Sequence, residues 1–300
     1  MDMKSLLYMT KPLLITSGCS WTDAIEPGYT EKNINVWSSI VADFMDWDLI
    51  NQGTGGAGNQ FIANKVFDTI NENLDREIIV FVYWSQASRA SIFGLDNIVL
   101  GKSGNWAREP NESRLTKASV EKYISERLNF ISKKKIEYSS SGFRPEANTV
   151  IPNLDPEMNV YAAVVLESLR TIYLLDEYCK MKGIAIIHGT ALNTIMGAEA
   201  VTKPDGAISP TTMKIREKLF EVCKDLKYYQ YIENMTNKLE RNFFDYSESG
   251  YHKYEHLFIS AEDNHPNQKA HQLIAAEFIN AYHRELNKDR PASEQSYVYD

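Results

Sequence analysis

The chain has 300 residues, enough to bury a sizeable core in one large α/β domain or in two average ones. Its 40 acidic side chains outnumber 32 basic ones, for a formal net charge of -8, and only Lys133-Lys134-Lys135 forms a basic triplet, so neither nucleic acid nor an anionic membrane surface is an expected partner. Three scattered cysteines (Cys19, Cys179 and Cys223) form neither a disulfide framework nor a Cys-x-x-Cys metal site, and no apolar run approaches the roughly 18 residues of a membrane span.

The first ten residues lack the basic start, apolar core and cleavage site of a secretory signal, so the expected location is the cytoplasm, or a virion if lysis releases the protein. The apolar run 13–16, bounded by Pro12 and Gly18, reads as a buried strand that delivers Ser20 to its carboxyl end. Residues 23–32 read as a loop with Pro27-Gly28 as its turn signal, and a helix starting just beyond Ser20 would aim its N–H groups at the hydroxyl. Ile34, Trp37, Ile40, Val41, Phe44 and Met45 recur at helical spacing and predict an amphipathic helix. A second short strand, 47–51, runs into the glycine-rich stretch 52–59, which has neither the lysine of a P-loop nor the spacing of a dinucleotide fingerprint. A helix is expected over 60–73.

Residues 77–84 are apolar on both faces, as a central parallel strand requires, and end in Ser85-Gln86-Ala87-Ser88-Arg89. From 94 to 159 the pattern weakens around one predicted helix, 117–135. Regularity returns with a long helix to Lys182, stopped by Gly183, and a strand 184–188 that ends in His188, which reads as a hydrogen-bonded structural histidine or as a site residue. A second irregular region spans 193–255. It holds a predicted helix over 211–226 and an aromatic group (Phe243, Phe244, Tyr246, Tyr251, Tyr254) that suits either core packing or a pocket wall. A final helix is expected over 268–286, and 288–300 has the composition of a flexible tail. Strands alternating with helices predict a three-layer α/β/α sandwich on a mostly parallel sheet. This is one domain over 1–287, with insertions at about 94–159 and 193–255 expected to cover the strand ends.

Two stretches carry chemistry. An exposed hydroxyl at a strand end suits a nucleophile, although Ser20 or Thr22 would serve equally as a cap. Before the last helix stands Glu262-Asp263-Asn264-His265-Pro266-Asn267. An acid two or three residues before a histidine can accept the imidazole Nδ1 proton and leave Nε2 as a base, and Pro266 keeps His265 out of the helix.

The order of these blocks resembles the SGNH family of GDSL-like serine esterases and lipases: Gly18-Cys19-Ser20, then Asn51-Gln52-Gly53-Thr54-Gly55-Gly56, then Tyr83-Trp84-Ser85-Gln86, then the acid and His265 ahead of Pro266. The resemblance implies a flavodoxin-like SGNH-hydrolase fold, Ser20 as nucleophile, His265 as base, and oxyanion donors from the N–H groups of Ser20 and Gly56. Cys19 replaces the family's usual aspartate. Ser85 stands where the family has its oxyanion asparagine, with Asn59 a substitute. Family spacing makes Glu262 the acid, whereas local reach favours Asp263. The implied activity is hydrolysis of small acyl esters, O-acetyl on a carbohydrate in particular, with no metal or organic cofactor. The alternatives are an O-acyltransferase with the same triad, or a non-catalytic carbohydrate-binding or virion structural protein. The sequence leaves the oligomeric state open.

Overall fold

In the computed structural model, strand β1 (Leu13–Gly18) lies inside a four-stranded sheet between β2 (Asp48–Asn51) and β3 (Ile78–Trp84), with β7 (Ala185–Thr190) outside β3. The described residues are 10–85, 89–92, 96–100, 106–108, 156–191, 226–240, 256–260, 263 and 265–288. All three strand pairings are parallel, with Leu13 opposite both Asp48 and Ile78, and Ile79 opposite Ala185. Counting only these strands in chain order gives 2-1-3-4, the opening of the flavodoxin-like order. The point where the order reverses falls between β1 and β3, and open α/β sheets bind ligands beyond the carboxyl ends there.

Strand residues alternate between two cores, as the pleat dictates. Leu13, Ile15, Ile78, Val80, Val82, Trp84 and Ile186 face one side, where they meet α3 (Asn59–Glu72), α4 (Pro156–Lys182) and α5 (Lys227–Glu233). Leu14, Ile79, Phe81, Tyr83 and Ile187 face the other, against α2 (Trp37–Met45) and α6 (Gln268–Asn287). Helices thus cover both faces of a parallel sheet in three layers. The second core is rich in aromatics: Trp37 stacks on Phe278 at 4.3 Å and Phe81 on the same ring at 5.1 Å. Such pairs add about 1 kcal/mol each beyond burial.

Six elements depart from the sequence expectation. Residues 23–32 are not all loop, because a short helix α1 (Pro27–Glu31) begins at the proline read as a turn signal. Proline's fixed φ suits a helix's first turn as well as a turn's second position. The region from 94 onward continues a small antiparallel sheet of β4 (Arg89–Ile92), β5 (Asp96–Leu100) and β6 (Trp106–Arg108). The long helix starts at Pro156, inside the first irregular region, and α5 lies inside the second. The helix predicted over 117–135, all but the last residue of the one predicted over 211–226, the aromatic residues 243–254 and most of both insertions lie outside the described residues. No helix among the described residues is long and apolar enough to cross a membrane.

His188 belongs to the frame. Its Nδ1 accepts from Trp84 Nε1 at 2.9 Å, and its Nε2 lies 3.0 Å from Asp176 Oδ1. Asp176 is fully buried and also takes Asn237 Nδ2 at 2.8 Å, the Tyr231 hydroxyl, and Lys180 Nζ at 2.7 Å. Burial alone would raise its carboxyl, but the hydrogen bonds from His188, Lys180 and Tyr231 outweigh it and hold the group well below the usual carboxylate range. With both ring nitrogens engaged, His188 has no lone pair to offer a substrate.

Candidate active site

Beyond β1 the chain turns sharply, with Thr22 N and Asp23 N donating to Cys19 O at 2.8 and 3.2 Å. Ser20 sits half-buried inside this turn, between buried Cys19 and buried Trp21. A side chain at Gly18 would put Cβ 2.2 Å from Thr22 Oγ1 and 2.7 Å from Tyr83 O, so the turn can fold back on the strand only because residue 18 has none. No helix starts directly behind Ser20. Asp23 Oδ1 takes the Ile25 N–H at 3.0 Å, and the first helical residue is Pro27. Neither Ser20 nor Thr22 is a helix cap: α1 is preceded by Glu26 with no side-chain cap bond, and Thr22 Oγ1 accepts from Trp37 Nε1 at 3.3 Å.

The glycine-rich stretch docks on this turn. Thr54 N donates to Gly18 O at 3.0 Å, Gly55 N to Asp23 Oδ2 at 3.0 Å, and Asn51 Nδ2 to Thr22 O at 2.7 Å. Gly56 is buried with φ 74°, a left-handed conformation that L side chains rarely adopt, and it leads into α3.

Asn59, the first residue of α3, reaches the end of β3. Its Oδ1 accepts the Ser85 N–H at 2.9 Å, and because a backbone N–H can only donate, the amide orientation is fixed. Asn59 is 1% and Ser85 3% exposed, and neither Asn59 Nδ2 nor Ser85 Oγ has a hydrogen-bond partner among the described residues. Gly18 is opposite Tyr83 in the ladder, so Ser20 and Ser85 each lie two residues beyond a matched pair of neighbouring strands.

The histidine sits in a tight reversal. Residues 257–259 run antiparallel to 265–267: Ile259 N donates to His265 O at 2.9 Å, Asn267 N to Leu257 O at 2.8 Å, and Phe258 bridges Pro266. Asp263 is pinned by its own N–H to Ser260 Oγ at 3.1 Å. Asp263 Oδ1 accepts the His265 N–H at 3.1 Å and lies 2.6 Å from His265 Nδ1, so one oxygen is both Asx-turn former and imidazole partner. Glu262 lies outside the described residues. Asn267 caps α6 by accepting from Ala270 N at 3.2 Å, and it ties down the reversal by donating to Phe258 O at 3.1 Å.

The turn bearing Ser20 and the histidine reversal meet through aromatic rings. Trp21, next to Ser20, packs edge-on against Phe258, which bridges Pro266, next to His265, with ring centroids 6.5 Å apart. Tyr29 lies perpendicular to His265 at 5.8 Å and to His271 at 4.8 Å. Sequence reasoning missed His271 in this cluster, although the histidine falls on the apolar stripe of α6 with Ala270, Ile274, Ala275 and Phe278. It is fully buried, accepts the Trp37 N–H on Nδ1 at 3.3 Å, and is pushed down to about 3 by burial and by the nearby His265 charge. Among the described residues no cluster of three or more His, Cys, Asp or Glu is placed to hold a metal ion.

The fold and these residues define an α/β protein with a serine just beyond the carboxyl end of β1 and a histidine–carboxylate pair on a reversal whose Phe258 packs against Trp21, the residue after that serine. Solved structures to which it is similar include a GDSL-like lipase from Bacteroides thetaiotaomicron (10% identity, 92% of this chain and 89% of that one, TM-score 0.41). Others are the psychrotrophic esterase EstA from a Pseudoalteromonas species (13%, 92% and 98%, TM-score 0.41) and a catalytic mutant of an acetylxylan esterase from Geobacillus stearothermophilus (13%, 91% and 94%, TM-score 0.39). No protein-family model and no curated protein sequence matches the chain.

Proposed function

We propose that the protein is a serine esterase of the SGNH type, with Ser20 as nucleophile, His265 as base and Asp263 as the acid. The observation that carries this reading is the 2.6 Å contact between Asp263 Oδ1 and His265 Nδ1, on a reversal that packs against the turn bearing Ser20. A carboxylate there fixes the tautomer with the proton on Nδ1, so Nε2 takes the proton from Ser20 Oγ as the oxygen attacks an ester carbonyl. The oxyanion is held by the N–H groups of Ser20 and Gly56 and by Asn59 Nδ2, the buried donor whose amide Ser85 orients. Collapse of this intermediate expels the alcohol, which takes the proton from His265 and leaves an acyl-Ser20. Water, deprotonated by the same imidazole, then releases the acid and restores the hydroxyl. Asp263 is preferred to Glu262 because its side chain meets the imidazole while its own N–H is anchored. The block resemblance points to a small acyl group, O-acetyl on a carbohydrate, as the substrate.

The test is turnover of an activated acetyl ester by wild type and Ser20→Ala, with mass analysis of the adduct formed by an organophosphonate. Turnover should fall at least about a thousandfold in the variant, since a triad acts as a unit. The phosphonate should label Ser20. Equal turnover by the two proteins rejects the reading, and added sugar acceptors show whether acetyl passes to water or to a hydroxyl.

A further inference from the structure

We propose that Gly28 and Tyr29 of α1 are positioning residues that hold the Asp263–His265 pair; this rests on the catalytic reading of that pair. Asp263 uses Oδ1 for both bonds to His265 and turns Oδ2 towards Gly28. A Cβ built on residue 28 would lie 2.8 Å from that Oδ2 and 3.2 Å from Ile259 Cδ1, inside any real contact distance for the first. Gly28 is not among the residues with positive φ, so its backbone does not require glycine. What requires it is space, because a side chain there and the Asp263 carboxylate compete for one volume.

Tyr29 fixes the other component. It is fully buried, and burial together with the nearby Cys19, Glu26 and Asp263 groups pushes its phenol far up, so the hydroxyl stays neutral. Its ring stands at 83° to the His265 imidazole and at 83° to that of His271, and so limits how far the base can swing away from Asp263.

Helix α1 is short but pinned where this task needs it. Pro27 presets the first turn, the Tyr29 and Thr30 N–H groups donate to Glu26 O at 2.9 and 3.1 Å, and Thr30 Oγ1 returns to Pro27 O at 3.1 Å. The loop between the nucleophile and α2 thus provides the surface on which the acid–base pair, more than 230 residues later in the chain, is oriented.

Gly28→Ala tests this directly, because the new methyl meets the far end of a flexible side chain and so moves the carboxylate while the fold stays intact. In wild type the bonded Nδ1 proton of His265 should give a downfield, exchange-protected NMR resonance. In Gly28→Ala that resonance should disappear, and kcat should fall about tenfold to a hundredfold with little change in KM, as small misplacements of catalytic groups do. In an Asp263→Asn background Gly28→Ala should cost less than about twofold more, since both changes act through one carboxylate. Tyr29→Phe should retain most of kcat, and Tyr29→Leu should lose it. A Gly28→Ala protein with wild-type kcat and an intact resonance overturns the proposal, and so do multiplicative losses in the double variant. If wild type shows no Ser20-dependent turnover, the esterase reading fails by itself, while the resonance in wild type and Gly28→Ala still decides whether Gly28 orients the pair.

Discussion

Asn59 shows how a single side chain can be committed at one end and available at the other. Its oxygen is fixed by the Ser85 N–H, so in the proposed mechanism its Nδ2 is a preorganised donor that needs no rearrangement as charge develops on a substrate oxygen. Asn59→Ala should lower kcat by roughly a hundredfold to a thousandfold, the usual cost of deleting one oxyanion donor. Ser85→Ala keeps the N–H that orients Asn59 and should cost less; a larger loss in esterase assays of Ser85→Ala would make the hydroxyl the donor instead. The position of Ser20 beyond a strand end and the contact of Asp263 with His265 are legible in the sequence because strand ends and contacts two residues apart follow from local rules. The amide of Asn59 is set by a bond to a residue 26 positions away, and the use of Gly28 by one far later in the chain. No spacing rule registers either.

Among the elements, the parallel sheet was readable because β3 is apolar on both faces, a pattern that only a central strand needs. The elements that escaped notice were short. Proline started α1 where a turn was equally consistent, and β4 to β6 have three to five residues each, too few for a period to show. The role of His188 was open in the sequence and is decided by packing, since α4 delivers a buried carboxylate to one ring nitrogen and β3 an indole N–H to the other. This network joins α4, β3, β7 and the segment at Asn237. Asp176→Asn should therefore destabilise the protein by roughly 3 kcal/mol or more in urea unfolding at neutral pH, because it leaves buried donors facing no charge. The folded carboxyl is depressed below its ordinary 3.8, so its contribution is complete above that value and disappears as the pH falls further. The variant should lose less than wild type over that acid range, and an unchanged urea midpoint at neutral pH would remove the network from the stability account.

For the molecule as a whole, the consequential buried group is His271, because it lies in the aromatic core between α2 and α6 and behind the candidate base. Burial first, and the positive charge of His265 second, lower it from 6.5 to about 3, so the folded protein keeps it neutral where the unfolded chain protonates it. The unfolded state then binds the extra proton, and stability that is complete above 6.5 is lost progressively as the pH falls towards about 3. Between about pH 7.5 and about pH 5 this single group should cost about 2 kcal/mol of unfolding free energy. For a chain of this length that is about 3 °C in Tm. His271→Gln keeps an acceptor for the Trp37 N–H and cannot titrate. Its Tm at pH 7.5 will carry whatever the repacking costs, but its change in Tm between the two pH values should be smaller than that of wild type by about the same 3 °C. Calorimetry at both pH values on both proteins makes that comparison within each chain, and equal pH dependence would mean that His271 gains its proton without unfolding. The candidate base, which the same Tyr29 ring separates from His271, would then have a positive charge behind it at mildly acid pH, and turnover in that range should fall reversibly with no loss of folded protein.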